Sequence, residues 1–534
     1  MMTGDLERGR ASSRASSYSE HDLASGASDD EMDHLELEAL TKEVFDDGEE
    51  DVPLMQGNVQ LNAIAPRPRP PWMRYATKVL WILAPSFLHP ADPNAVYKPL
   101  HPTAWLDGLR GVAAFFVVCH HWSLVTSVQN IHHGFRSDAN PLFIQLPIIR
   151  LTVSGLCSVC VFFIVSGFAL SYKPLKLIGQ RRTVDFAVAA ASSAFRRHIR
   201  LFLPPAVTTF IISWMSFAGW YEIPTTGIAA PALRPPRFDN AFDQLRDWAT
   251  RLIGLSDPIG RNLTRGNNYV YEPTLWTIPI EFDCSLVIFL AHVAFSRLRP
   301  RVRIFFTIFL CGYTLYFAYW QYFLFFAGLL CATIHFYWPT VSDGSLPTTV
   351  PPRRHGIFAR FSSLESSPRY AIIMKVVGVL SFVGALLLLS YPDGTAFATP
   401  GYRVFAGISP ARFGDGTYLW IPLAAAWLVF TIDRFPFLHP IFTNRLVQYF
   451  GRISYAIYLV HGSMLWLFGW HLVQFFVKLT GSTTLTQWYS AVFLGSCIFF
   501  PGVICVADFA QRYLDANSVR LAAWFEGKLI DKTL

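Results

Sequence analysis

Apolar positions in this chain gather into ten blocks long enough to cross a bilayer, near residues 104–126, 146–171, 199–220, 275–296, 303–318, 320–338, 371–391, 417–432, 450–472 and 487–509. That pattern predicts an all-α integral membrane fold of about ten transmembrane helices, the fifth and eighth being the shortest. Residues 1–65 are rich in Ser, Asp, Glu and Gly and carry no apolar h-region. They cannot bury enough surface to fold, so a disordered cytosolic tail with no cleavable signal is expected. Residues 66–103 are expected to be an interfacial juxtamembrane segment. Within them Trp72, Leu80, Trp81 and Leu83 stand beside Arg74 and Lys78 in a run too short to span. The blocks 104–510 form the membrane domain, and 511–534 is expected to be a short cytosolic tail.

Composition agrees, with 52% hydrophobic, 16% aromatic and only 15% charged residues. The formal charge of +7 hides a split, since residues 1–51 are strongly acidic and the remainder correspondingly basic. The basic residues are scattered through short loops between apolar blocks, which fits membrane orientation and anionic lipid contact, not nucleic acid. Taking the tail as cytosolic, alternate loops should be basic. They are: Lys173, Lys176, Arg181 and Arg182; then Arg297, Arg299, Arg301 and Arg303; then Arg353, Arg354, Arg360 and Arg369. The long loop 221–274 mixes signs and contains Asn262-Leu263-Thr264, a glycosylation candidate on the opposite face. All eight cysteines fall in apolar blocks, with neither a disulfide framework nor metal-ligand spacing. An integral multi-pass protein of an endomembrane or the plasma membrane is the expectation.

Ionisable groups at membrane depth are costly and mark functional sites. The first block, WLDGLRGVAAFFVVCHHW, carries Arg110 and His121 eleven residues apart. On a helix that is about 16 Å of rise and about three turns, which puts them on one face. A buried imidazole can serve as general base, and an arginine at the cytosolic mouth suits a phosphate. A positive-inside anchor and a packing group would also account for the pair. His120 points about 100° away from His121. The fourth block opens LWTIPIEFD, where Glu281 and Asp283 are candidates to reach His121 and fix its tautomer. Before the third block, Arg196, Arg197 and Arg200 could grip a phosphate entering from the cytosol, with Arg196 and Arg200 one turn apart. In the ninth, Tyr455, Tyr458 and His461 could form a polar stripe.

DGLRG with His121, VFFIVSGFAL, RRHIR, LWTIPIEF and ISYAIYLVHG occur in that order over residues 104–510. Through these motifs the chain resembles the acyltransferase 3 family of membrane-integral acyltransferases, most closely its fungal members. The resemblance implies a core of ten spans and acyl transfer from acyl-CoA, in the simplest case acetyl-CoA. By the same resemblance His121 is the catalytic histidine, Arg110 its paired arginine, Arg197 and Arg200 the acyl-CoA contact, Glu281 the acidic motif position and His461 the late histidine. Many bacterial members carry an acidic residue where this chain has Cys160. The appended esterase-like domain of some bacterial relatives is not expected after residue 510. The expected acceptor is a hydroxyl of a glycan, lipid or secondary metabolite, reached directly or through an acyl-histidine. The competing class is a multispan transporter with a buried proton relay.

Overall fold

A computed structural model describes residues 81, 84–89, 99–138, 141–222, 234–257, 269–338 and 368–530. The acidic tail, most of the juxtamembrane segment, Asn262 and the loop arginines 353, 354 and 360 lie outside the described residues. Every regular element among the described residues is helical: α1 Ala104–Thr126, α2 Gly155–Gly179, α3 Thr183–Phe217, α4 Ala241–Ser256, α5 Thr277–Phe295, α6 Pro300–Tyr316, α7 Trp320–Tyr337, α8 Pro368–Leu389, α9 Thr417–Arg434, α10 Arg445–Met464, α11 Trp470–Thr480, α12 Leu485–Ala510 and α13 Ala516–Leu529, with short 3-10 and π-helical turns and the five-residue α-helices Arg403–Gly407 and His439–Thr443 between.

Eight of the ten apolar blocks lie in helices long and apolar enough to cross on their own, among the described residues. A ninth, α9, qualifies together with Pro436–Thr443, from which it is bent by 99°. The block at 303–318 lies in α6, which has 17 residues and carries Arg301 and Arg303 in its first turns. The protein is a multi-pass membrane protein.

Two helix crossings depend on glycine. A Cβ on Gly111 would fall 2.4 Å from the backbone nitrogen of Gly451, which locks α1 against α10. One on Gly167 would fall 2.4 Å from the carbonyl of Phe325, and one on Gly328 2.4 Å from that of Ile164, which locks α2 against α7. Between lipid-facing helices, where burial from water supplies little drive, such close backbone approach is the main source of association. Caps fix where helices start: the Asn444 side chain accepts from the Val447 amide at α10, and Thr484 with Gln487 forms a capping box at α12.

Two segments differ from expectation. Helix α4, in the mixed-charge loop, runs antiparallel along the C-terminal half of α3. Gln244 Nε2 donates to Ser213 Oγ (3.1 Å), Trp248 Nε1 to Thr209 Oγ1 (3.1 Å), and His198 Nε2 meets the Ser256 carbonyl (3.0 Å). Polar Gln244 is buried beside Leu255, while apolar Phe242 and Ile253 face out together with Arg246 and Thr250. Residues 511–529, read as a tail, instead continue α12 through a π-helical turn, Gln511–Asp515, into α13. Helix α13 packs on α3, where Glu526 Oε2 takes the Ser192 hydroxyl (2.9 Å) and pairs with Arg196 (3.1 Å).

Candidate active site

A cavity of ≈ 220 Å³ opens among α1, α2, α3, α5, α10 and the turn before α13. Arg110, Arg197, Arg200 and Arg452 line it, with Glu281 and Asp515 as its carboxylates. Arg197 and Glu281 form its central pair, Nη2 to Oε1 at 2.9 Å. Arg197 Nε also donates to Ser285 Oγ (3.2 Å), and Ser166 donates to the same Glu281 oxygen (3.4 Å). Arg110 reaches the Gly451 carbonyl (3.3 Å) and Asp107 (3.5 Å). Asp515 lines the cavity together with Arg200 and Arg110. The π-helical turn widens the helix at Asp515, a device frequent at functional sites.

Toward the other end the lining becomes Tyr455, Tyr458, Thr277, Ile278, Phe162 and Val117. Tyr455 donates to the Leu201 carbonyl (3.0 Å), and Tyr458 shares a 2.6 Å bond with Thr277 and donates to the Thr274 carbonyl. The lining stops at Val117, one helical turn from His121 on α1.

His121 Nδ1 faces the Val117 carbonyl at 2.9 Å, with His461 Nε2 3.3 Å away. His461 Nδ1 in turn faces the carbonyls of Tyr458 (2.8 Å) and Ile457 (3.1 Å). A carbonyl only accepts, so these partners assign the hydrogen to Nδ1 in both rings. His121 Nε2 then keeps its lone pair, and the His121 Nδ1 hydrogen is shared with His461 Nε2. His120 is turned away, its Nδ1 on the Val153 carbonyl (2.7 Å). The same carbonyl takes His132 Nδ1 (3.0 Å), a loop histidine that burial holds below its ordinary pKa.

The sequence-derived residues are thus divided. Arg110, Arg197, Arg200, Glu281 and Tyr455 line one cavity, while His121 and His461 meet each other outside its lining, one helical turn beyond Val117 and Tyr458. Glu281 is paired with Arg197, and a backbone carbonyl occupies the His121 nitrogen that a carboxylate was expected to hold. Asp283, about 200° further round α5, does not line the cavity. Arg196 pairs with Glu526 on α13 and does not line the cavity.

The family model for the acyltransferase domain matches residues 103–508. The chain is 37% identical over 467 residues to the O-acetyltransferase PaAT-1 of Phomopsis amygdali, covering 84% of this chain and 89% of that protein. It is 22% identical to acyltransferase clz18 of Cochliobolus lunatus, covering 80% of this chain and 96% of that protein. Acyltransferase R4 of a Phoma species is also 22% identical, over 79% and 96%. The chain belongs to the acyltransferase 3 family. No solved structure matches it. This acyltransferase 3 member is therefore an enzyme, and its cavity is the place to look for its chemistry.

Three residues of the site carried no signal in the sequence. Arg452 lines the cavity but stands at the edge of its apolar block, where the positive-inside pattern alone accounts for it. Glu272 is fully buried beside the 3-10 turn before α5, where its carboxylate takes the hydroxyls of Thr274 (2.8 Å) and Ser463 (2.9 Å). Burial raises its pKa above the ordinary carboxylate range. It sits against Gly462, next to His461: a Cβ there would fall 2.1 Å from Glu272 Oε1. His132 reaches the histidine group from a loop whose path no helical periodicity predicts.

Proposed function

We propose that this acyltransferase moves an acyl group, acetyl in the simplest case, from acyl-CoA to a hydroxyl of a glycan, lipid or secondary metabolite. One observation carries the reading: a cavity that begins among four arginines and ends one helical turn from an imidazole whose second nitrogen is unblocked. CoA is a polyanion at one end and a thioester at the other, so the basic mouth fits its phosphates and the less polar inner part fits its pantetheine arm. The name of the PaAT-1 relative supports an oxygen acceptor and an acetyl group.

In the proposed reaction His121 Nε2 takes the proton of the acceptor hydroxyl as its oxygen attacks the thioester carbonyl. Collapse of the tetrahedral intermediate breaks the C–S bond, and the imidazolium returns the proton to the departing thiolate. The Val117 carbonyl and His461 Nε2, both acceptors on the Nδ1 side, hold the ring in its working tautomer and favour the imidazolium while it exists. Arg197, oriented by Glu281, and Arg200 and Arg110 hold the donor phosphates. The basic loops orient the arginine end of the cavity, and with it the N-terminus, toward the cytosol where acyl-CoA is made.

The test is CoA release from acetyl-CoA by membranes carrying the wild type or Arg197→Ala/Arg200→Ala. Transfer that needs far more donor in the variant supports the donor site. An unchanged donor dependence overturns it.

A further inference from the structure

Ahead of α1 the chain makes a 3-10 turn, Ser86–Leu88, that is tied to helices from the far end of the sequence. The Ser86 amide donates to Asp508 Oδ2 (2.9 Å) and its hydroxyl to Asp508 Oδ1 (2.6 Å). Asp508, fully buried on α12, also takes the Tyr449 hydroxyl (3.1 Å) and pairs with Arg512 (2.9 Å). Arg512 reaches back to the Ala84 carbonyl (2.7 Å), and Phe87 stands edge-on to Tyr449. With its acceptor sites filled, Asp508 anchors the turn rather than offering a free charge.

The turn in turn holds Arg452. Its Nη2 donates to Ser86 Oγ (2.6 Å), and its guanidinium lies 5.3 Å from the centroid of the Tyr449 ring. Arg452 lines the cavity and is exposed. The four arginines are not equivalent. Arg197 is paired with Glu281, Arg110 reaches Asp107, and Arg200 lines the cavity together with Asp515. No carboxylate pairs with Arg452 among the described residues. Its single hydrogen bond to a hydroxyl leaves most of a five-donor fork available, on a side chain whose rotamer is already fixed.

Reading the cavity as the CoA site, which this inference rests on, gives that free outer cation a partner. The phosphate furthest from the thioester in a CoA donor is the 3′-phosphate of the ribose, a dianionic group that a pre-set arginine at the rim can grip with two donors. We propose that Arg452 receives the ribose 3′-phosphate of the donor, and that Ser86, anchored by Asp508, is a positioning residue that holds Arg452 ready. The pre-membrane turn is then part of the donor site, and the enzyme selects CoA thioesters over donors that lack this phosphate.

The experiment compares kcat/KM for acetyl-CoA and for acetyl-dephospho-CoA, which differ only by the 3′-phosphate, in the purified full-length enzyme. Wild type is expected to prefer acetyl-CoA by about 10–100-fold, the range of a charge-assisted phosphate contact. Arg452→Ala should bring the ratio close to one by losing acetyl-CoA alone, and Arg452→Lys should restore part of it. Ser86→Ala should narrow the ratio by about 3–10-fold through KM, with kcat kept, because only the pre-setting of the side chain is lost. A wild type indifferent to the phosphate, a ratio that survives Arg452→Ala, or equal losses for both donors would each overturn the proposal. Failure of the wild type to use either thioester would instead overturn the donor reading beneath it.

Discussion

Glu281 separates two accounts of this site, one in which it handles protons with His121 and one in which it orients Arg197. The Arg197 and Glu281 side chains are 15% and 23% exposed and meet at 2.9 Å. Removing one partner of a buried ion pair costs about 3–5 kcal/mol, because the other is left buried without its counter-charge. The residual exposure here and the Ser285 hydroxyl beside Arg197 lower the expected cost of Glu281→Gln to about 2–3 kcal/mol. Arg197→Gln should cost a similar amount. The double variant should lose less than the sum, by a coupling energy of about 1–2 kcal/mol. Thermal unfolding of the purified protein in one detergent, for the wild type and three variants, gives the cycle. Kinetics complete it: Glu281→Gln should raise KM for the acyl donor while kcat at saturating donor stays within about tenfold of wild type. Strictly additive losses would refute the pairing. A kcat collapse at saturating donor, with KM unchanged, would refute the orienting role and return Glu281 to proton handling.

Exchange of Gly111 for Ala puts a methyl 2.4 Å from the Gly451 backbone and should lower the unfolding midpoint by several degrees, while Gly312→Ala, with nothing within 4 Å, should leave it unchanged. His461→Ala removes the acceptor beside His121 Nδ1 and should lower kcat by about 10–100-fold, whereas His120→Ala, whose ring bonds the Val153 carbonyl instead, should cost less; turnover at saturating donor distinguishes them. Glu272 makes a pH prediction. Its folded-state pKa lies above the ordinary 4.5, so the stability attached to it is fully present below about pH 4.5 and is lost as pH rises through the raised value. Glu272→Gln should therefore gain on the wild type in unfolding midpoint as pH rises above about 4.5, and a gap that is constant with pH would contradict the assignment.

The helices were legible because membrane spans must be long and apolar whatever they pack against. Naming Arg110, Arg197, Arg200, Glu281 and Tyr455 as candidates was also legible, since charges and hydroxyls in or beside apolar blocks need a reason, but Glu281 was expected beside His121, not beside Arg197. Choosing among the three adjacent arginines was not. Spacing of three or four residues allows either Arg197 or Arg196 to share a face with Arg200, and the choice fell to Glu526, more than three hundred residues away on a helix that composition had marked as a tail. The carboxylate expected at His121 was wrong for a related reason: the ring is held by the carbonyl of its own helix one turn back, an interaction every helix offers and no side chain announces. Arg452 was hidden by the positive-inside pattern, which explains any arginine near a helix end equally well. Ser86 and Glu272 are polar residues in short turns, and only the meeting of distant helices gives them work.

The central claim is that His121 is the base of an acyl transfer from CoA. Its most direct test is the movement of label from radiolabelled acetyl-CoA into glycan, lipid and small-molecule fractions, using membranes with matched amounts of wild type or His121→Ala. The account predicts transfer into one fraction by the wild type and at least a hundredfold less, about 3 kcal/mol of barrier, by the variant. Equal transfer by both would remove His121 from the reaction and contradict the account.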